Sequence, residues 1–154
     1  MQLSFRILVF LIINFLALYI GGIFAGGGVT SDWYLGLTKA PWTPPGWVFG
    51  AAWTTIMICL SVFMGFAWCK DGNKFLVVSL YTIQWILNVV WNPIFFKFHA
   101  VAVGLIIVLA LTSVLGFYIY HYIPVLRAKA FLLLPYFVWM LIASSLNAFI
   151  WIHN

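Results

Sequence analysis

Five runs of mostly apolar residues dominate this sequence, and each has roughly the 20 residues that a helix needs to cross a membrane. They cover residues 5–25, 47–69, 75–96, 101–120 and 131–152. Charged residues make up only 6% of the chain, whereas soluble domains contain about 25%. The sequence therefore predicts an all-α, polytopic membrane protein, a single domain of residues 1–154 built as a five-transmembrane-helix bundle. A nucleic-acid-binding protein is excluded, because the few charges form no extended basic surface.

The basic residues between the runs predict how the chain is oriented. Arg6, the second loop and the fourth loop together hold five Lys or Arg residues, whereas the first loop, the third loop and the C-terminus hold two. Because loops rich in Lys and Arg stay on the cytoplasmic side, we expect the N-terminus in the cytoplasm and the first loop outside. Mostly neutral loops and a basic inner side favour a bacterial plasma membrane.

The first connection, residues 26–46, is long and contains Pro41, Pro44 and Pro45. Proline holds φ fixed and pushes the preceding residue towards an extended conformation, so we expect a stiff segment. Loops of this length are commonly lids or binding loops. We therefore expect the proline segment to roof a site. The tryptophans of this loop, taken singly, suit an interfacial aromatic belt.

A polar stripe follows one face of the third run, where Gln84, Asn88 and Asn92 recur every four residues. An amide that faced lipid would leave its hydrogen bonds unmade, at a cost of several kcal/mol. The stripe must therefore face other helices or a cavity. Contacts between helices and a ligand pocket are equally good interpretations for Gln84 and Asn92, whereas we favour the pocket for Asn88. Pro93 predicts a kink where this run ends.

The fifth run carries a matching face, on which Tyr136, Trp139, Ala143 and Asn147 lie three or four residues apart. Trp139 lies too deep in its run for an interfacial belt, and its indole N–H needs a partner there. Core packing is the alternative explanation for this residue.

The first and fourth runs differ in their surfaces. Ala17, Gly21 and Ala25, together with Gly22 and Gly26, give the first run small residues that permit close helix contact. Internal packing and a dimer seam are both consistent with this pattern. The fourth run has few distinguishing side chains, so we expect it to face lipid or another subunit.

Several classes of active site are not supported by the sequence. No Asp or Glu lies within a run, and coupled transport normally needs such an acid. The histidines lie at the ends of runs, and no nucleophile has a base within helical reach. Cys59 and Cys69 are about 15 Å apart on a helix, which is beyond disulfide reach. We predict no metal site and no cofactor.

Three spaced motifs resemble those of a known family. They are WY-x-x-L-x-K-x-x-W-x-PP-x-W from Trp33 to Trp47, Q-x-x-LN-x-x-W-x-PIFF from Gln84 to Phe96, and PY-x-x-W-x-x-x-A-x-x-LN-x-x-x-W-x-x-N from Pro135 to Asn154. By these motifs the chain resembles the translocator proteins, also called tryptophan-rich sensory proteins or peripheral benzodiazepine receptors.

The resemblance implies a five-helix bundle, a homodimer, and a pocket that opens towards the first loop. It also implies binding of porphyrins and of isoquinoline-carboxamide drugs. Carried over to this sequence, the ligand-binding residues are Tyr34, Phe49, Trp53, Asn88, Trp91, Trp139, Ala143 and Leu146. The family's cholesterol motif needs a central Tyr followed by Lys or Arg, and residues 146–152 contain neither. Cholesterol is therefore not expected as a ligand.

Together, the residues and the resemblance favour a receptor for a flat tetrapyrrole such as protoporphyrin. Trp53 and Trp139 would stack on the macrocycle, Asn88 would hydrogen-bond it, and the propionates would lie near Lys39. An alternative is light-driven oxidative degradation of the bound porphyrin, with Trp53 and Trp139 as the catalytic candidates. Facilitated transport of porphyrin or lipid and a scaffold or sensor role are further alternatives.

Overall fold

The computed structural model describes residues 2–154, and this part of the chain is helical, with no strand. The helices, in chain order, are α1 Leu3–Phe24, α2 Asp32–Gly36, α3 Gly46–Lys70, α4 Lys74–Asn92, α5 Val101–Leu126 and α6 Leu134–His153. Short 3-10 segments cover Gly28–Thr30 and Arg127–Leu133, and a π-helical turn covers Pro93–Lys97. The all-α prediction is therefore confirmed, and the helical ladder changes at the predicted proline.

Four helical stretches are long and apolar enough to cross a membrane: Leu3–Gly36, Gly46–Lys70, Lys74–Lys97 and Val101–His153. The chain is thus an integral membrane protein. The sequence predicted five spans, whereas the structure contains four such stretches. The difference arises because the last two predicted spans are joined, through the 3-10 segment Arg127–Leu133, into one helical stretch of 53 residues.

That last stretch folds back on itself. The side-chain amide of Asn147 donates to the carbonyl of Val101 over 2.9 Å. The hydroxyls of Thr112 and Ser144 lie 3.4 Å apart, and a Cβ added at Gly116 would lie 3.5 Å from the Phe137 ring. Along these three pairs the residue numbers rise on α5 and fall on α6. The two helices are therefore antiparallel.

Buried polar side chains connect the helices of the bundle. Asn14 on α1 donates to the hydroxyl of Ser61 over 2.9 Å and accepts from the hydroxyl of Tyr81 over 2.7 Å, so that one amide joins α1, α3 and α4. The hydroxyl of Tyr136 donates to the side-chain oxygen of Gln84 over 3.4 Å. Gln84 therefore links α4 to α6, which agrees with its interpretation as a contact between helices.

The small residues of α1 and of its C-terminal cap, Ala25, divide between two faces. Ala17, Gly21 and Ala25 are buried, and a Cβ added at Gly21 would lie 2.8 Å from the side-chain nitrogen of Asn92. This face serves internal packing. A Cβ added at Gly22 would meet nothing within 4 Å, so that residue faces away from the bundle.

The expectation that the fourth run faces outward holds for one face of α5, where Ile106 and Phe117 are exposed, whereas the opposite face belongs to the core. Leu115, Tyr118 and Tyr122 are fully buried, and the Phe63 ring lies edge-on against both tyrosine rings. Large aromatic side chains bury extensive apolar area, and here they fill the space between α3 and α5. An apolar sequence without a polar stripe gave no indication of which face was inside.

Candidate functional site

A partly open cavity of about 200 Å³ lies between the helices. All eight residues predicted as ligand-binding contribute to its lining: Tyr34, Phe49, Trp53, Asn88, Trp91, Trp139, Ala143 and Leu146. The structure thus brings together side chains that are up to 112 positions apart in the chain, from α2, α3, α4 and α6. Their role in binding stays a prediction.

The roof of the cavity consists of Ala25, Gly28, Val29 and Tyr34. The chain can turn here because three successive glycines have positive φ, with +95° at Gly27, a conformation that glycine adopts without a steric cost. The hydroxyl of Ser31 then accepts from the backbone N–H of Tyr34 over 3.3 Å and caps the start of α2. As a result the Tyr34 side chain is buried beside the rings of Phe95 and Phe96.

The proline segment, residues 37–45, does not form this roof, which corrects the prediction. Its backbone at Thr38 exchanges two hydrogen bonds with the side chain of Asn154, of 2.9 and 3.1 Å. Further along, the indole N–H of Trp42 donates to the hydroxyl of Ser145 over 3.1 Å. The segment therefore follows α6 from its end towards its middle, and no cavity-lining residue lies between Tyr34 and Phe49.

Lys39 is engaged within its own loop. Its ammonium donates to the carbonyls of Tyr34 and Leu35, both over 3.0 Å, and to that of Leu37 over 3.3 Å. These carbonyls lie at the C-terminal end of α2, where a positive charge is favourable. The three protons of the ammonium are thus matched by three acceptors, and a role for Lys39 beside ligand propionates is not supported.

The aromatic walls of the cavity are made by edge-to-face pairs. The rings of Phe49 and Trp139 lie 5.3 Å apart at 86°, and those of Trp53 and Tyr136 lie 5.8 Å apart at 69°. These are the arrangements that the ring quadrupoles favour. Trp53 and Trp139 both line the same cavity. The hypothesis of an indole-lined chamber requires this arrangement.

Trp91 is held in place from two sides. Its ring stacks on that of Phe95 with centroids 4.9 Å apart, and its indole N–H donates to the side-chain oxygen of Asn147 over 3.3 Å. Asn147 is itself fixed by its bond to the Val101 carbonyl. This network holds the Trp91 ring in the cavity wall. It also explains the position of Asn147 on the inner face, which its helical spacing predicted.

Four residues of the lining have a side-chain hydrogen-bonding group without a protein partner in the part of the chain that the structure describes. They are Tyr34, Trp53, Asn88 and Trp139, of which Asn88 and Trp139 are each 7% exposed. Asn92 also lines the cavity, but its side-chain nitrogen donates to the backbone carbonyl of Asn88 over 3.3 Å. Most of the remaining lining is apolar, so a ligand would contact a hydrophobic cavity with few hydrogen-bonding groups.

Sequence reasoning missed several residues of the lining, among them two from α5. Val108 and Leu111 of α5 complete one wall, and their run had no polar stripe that could have indicated an inner face. Within residues 2–154, no group of three or more His, Cys, Asp or Glu side chains could hold a metal ion.

A separate polar cluster lies at the opposite end of α3. The Asp71 carboxylate accepts from the hydroxyl of Tyr122 over 2.8 Å, and its Oδ2 lies 3.9 Å from Nε2 of His121. Burial acts to raise the pKa of Asp71. The backbone N–H of Asn73, the Tyr122 hydroxyl and the nearby charges of His121 and Lys74 outweigh burial, and the pKa is lowered from its usual value.

Comparison with known proteins gives one family match. The profile of the TspO/MBR family matches residues 9–152, which is nearly the whole chain. The Tryptophan-rich protein TspO of Archaeoglobus fulgidus is 34% identical over 148 residues, covering 93% of this chain and 94% of that protein.

Two further relatives have different names. Protein CrtK of Rhodobacter capsulatus is 33% identical over 136 residues, covering 85% of this chain and 81% of that protein. The human Translocator protein is 32% identical over 126 residues, covering 79% of this chain and 75% of that protein.

Proposed function

The chain belongs to the TspO/MBR family of membrane proteins, and we propose that it is a membrane receptor whose indole-lined cavity binds a flat tetrapyrrole such as protoporphyrin IX. The observation that carries the proposal is the shared cavity of Trp53 and Trp139, with the unpaired Asn88 amide beside them. A planar aromatic ligand suits such a chamber, because indole rings bind it by offset stacking or edge contact.

The polar groups of the cavity support a ligand with a few hydrogen-bonding atoms. The Asn88 amide can both donate and accept, and the Trp139 N–H can donate. Inside a membrane an unmade hydrogen bond is costly, so a ligand that satisfies these groups gains affinity and orientation. Isoquinoline-carboxamide drugs, which combine fused aromatic rings with one amide, meet the same description, and we propose that they compete for the cavity.

The same proposal includes the arrangement of the chain in its membrane. Because α5 and α6 are antiparallel, the stretch Val101–His153 would cross twice, which makes five crossings in one membrane domain, residues 1–154. The five basic residues on one side would lie in the cytoplasm and the first loop outside, in a bacterial plasma membrane. The outward-facing Gly22 supports a homodimer in which α1 of two copies meets.

Titration of the purified protein with protoporphyrin IX, followed by intrinsic tryptophan fluorescence, tests the proposal. We expect saturable quenching at one porphyrin per chain and its reversal by an isoquinoline carboxamide. Quenching that rises linearly with porphyrin, or that matches free tryptophan in the same detergent, would contradict the proposal.

Light-driven degradation of the bound porphyrin is a second candidate function. The observation that favours it is the position of Trp53 in the cavity wall with Tyr136 behind it, 5.8 Å between ring centroids. An excited macrocycle would exchange an electron with Trp53 or Trp139, and dissolved dioxygen would be the oxidant consumed as the ring is oxidised. Illumination of the complex should bleach the porphyrin faster than illumination of porphyrin in detergent alone, and equal rates would remove this function.

Flux of porphyrin from loaded liposomes, with and without protein, tests the remaining alternative, facilitated transport.

A further inference from the structure

A second hollow of about 520 Å³ lies between α3 and α6 and is more open than the inner cavity. Its lining includes Val48, Ala51 and Thr55 from α3 and Val138, Trp139 and Ile142 from α6. Thr55 and Trp139 are the side chains of that lining with a polar group, and the Thr55 hydroxyl donates to the Ala51 carbonyl over 2.9 Å. The hollow, which we term the α3–α6 groove, therefore offers mainly apolar contact.

Trp139 lines both the groove and the inner cavity. Its ring is held on the cavity side by edge contact with Phe49, 5.3 Å between centroids, and its N–H has no partner among the described residues. Where the two hollows adjoin, this side chain belongs to the wall of each. The groove on the other side of Trp139 gives its indole room to move, which a side chain in a close-packed core does not have.

The inner cavity is small for the ligand class proposed above. Pockets for drug-sized ligands are about 300–1,000 Å³, whereas this cavity is about 200 Å³. The whole macrocycle of a tetrapyrrole therefore fits inside only if part of the wall moves. Trp139 is the part of the cavity wall that also borders the α3–α6 groove.

We propose that Trp139 is a movable partition, and that apolar ligands enter the inner cavity sideways from the bilayer through the α3–α6 groove. This inference rests on the proposed binding function. Both helices that form the groove belong to membrane-spanning stretches, so the groove opens towards hydrocarbon, in which a flat apolar ligand is concentrated. The ligand then displaces the indole into the groove and takes its place beside Phe49.

The route from the loop side is closed by more contacts. The proline segment is tied to α6 through Thr38 with Asn154 and through Trp42 with Ser145. The roof is further held by Ser31 and by Lys39. Entry from that side requires several hydrogen bonds to break, whereas entry through the groove requires none of them to break.

Filling the groove tests the proposal, with the protein reconstituted in lipid nanodiscs and protoporphyrin IX as the probe. Ala51 lines the groove but not the inner cavity, so Ala51→Phe blocks the movement of the indole. We expect the association rate, measured by stopped-flow quenching, to fall by about tenfold or more. Val138→Phe, at a half-exposed groove position, should act in the same way if the first variant folds poorly.

Ala102→Phe is the matched control, because Ala102 is an exposed helical residue outside both hollows. It should leave the rate within about twofold of the unmodified protein.

Unchanged rates in both groove variants would overturn the partition while leaving the binding function in place. Faster association in Trp42→Phe, without an effect of groove filling, would place entry at the loop and also overturn the partition. Absence of saturable binding by the unmodified protein would overturn the binding function and the partition together. A second copy that occupied the groove would appear as chain-to-chain disulfide bonds in Val138→Cys, and such bonds would overturn entry at this face.

Discussion

The indole N–H of Trp42 donates to the hydroxyl of Ser145 over 3.1 Å and joins the proline segment to the middle of α6. The loop is thereby held against the bundle at a point nine residues before the C-terminus, while Asn154 holds it at the end. The long first loop is thus a segment packed along a helix, and its attachment to α6 can be tested directly.

Ser145→Ala should loosen the proline segment while the bundle remains folded. The lost hydrogen bond is expected to cost about 0.6 kcal/mol, the mean for such bonds between membrane helices. Faster hydrogen exchange or proteolytic cleavage within residues 37–45 would report the change. Ser113→Ala is the control, because the hydroxyl of Ser113 is exposed and donates only within its own helix. Equal exchange in the two variants would show that the Trp42 bond does not hold the loop.

Asn14→Leu should destabilise the protein markedly, because it removes the acceptor of the Tyr81 hydroxyl inside the bundle. A buried polar group left without a partner costs about 1–3 kcal/mol. Unfolding by increasing SDS in mixed micelles would measure the loss.

Tyr81→Phe provides the internal control for that network. If both partners are replaced by apolar side chains, the penalty for an unpaired group disappears. We therefore expect Asn14→Leu to cost less in the Tyr81→Phe background than alone. Strictly additive losses would mean that the two side chains are not coupled.

Asp71 should make stability depend on acidic pH. Its pKa is lowered in the folded state, so its ionised form is favoured there, and the resulting stability is fully present above the ordinary pKa of 3.8. The stability is lost as the pH falls through the lower, folded-state value. Melting temperatures measured from pH 6 down to about pH 3 should fall less steeply in Asp71→Asn and in Tyr122→Phe than in the unmodified protein. Asp32→Asn, at an exposed position in α2, should keep the original profile, and a slope unchanged in all three variants would contradict a role for Asp71.

Trp53→Phe should weaken protoporphyrin binding by about two- to tenfold, the range that corresponds to the 0.5–1.5 kcal/mol of an aromatic pair. The smaller ring keeps the site apolar but loses part of the stacking area. Affinity is measured from porphyrin absorption, so that the removed fluorophore does not affect the readout. Trp47→Phe is the matched control, since Trp47 is 74% exposed and does not line the cavity. Unchanged affinity in Trp53→Phe would remove that residue from the site.

Much of the candidate site was accessible from the sequence because its residues have local signatures. The four-residue spacing of Gln84, Asn88 and Asn92 indicated an inner face, and the depth of Trp139 in its run separated it from the interfacial tryptophans. The structure divides these roles further: Gln84 bonds Tyr136 between helices, whereas Asn88 faces the cavity. Spacing alone could not make this division, because it depends on which side chain stands opposite each amide.

The roof and the buried face of the fourth run were not predicted from the sequence. The stiffness of the proline segment was taken to mean a cover, but Ala25, Gly28 and Val29 close the cavity with Tyr34. The course of the loop is decided by contacts with Ser145 and Asn154, more than 100 positions away in the chain. Likewise, nothing within α5 distinguishes the face that carries Val108 and Leu111.

The sequence by itself determined that this chain is helical and lies in a membrane. In hydrocarbon every backbone hydrogen bond must be made internally, and a helix makes them between residues four positions apart, so the pattern is local. Only the tertiary structure decided that α5 is part of the core, that the roof is glycine-rich, and that Trp139 stands between two hollows. These features depend on contacts between distant side chains, such as Gly21 with Asn92, whose close fit follows from helix packing and not from any spacing along the chain.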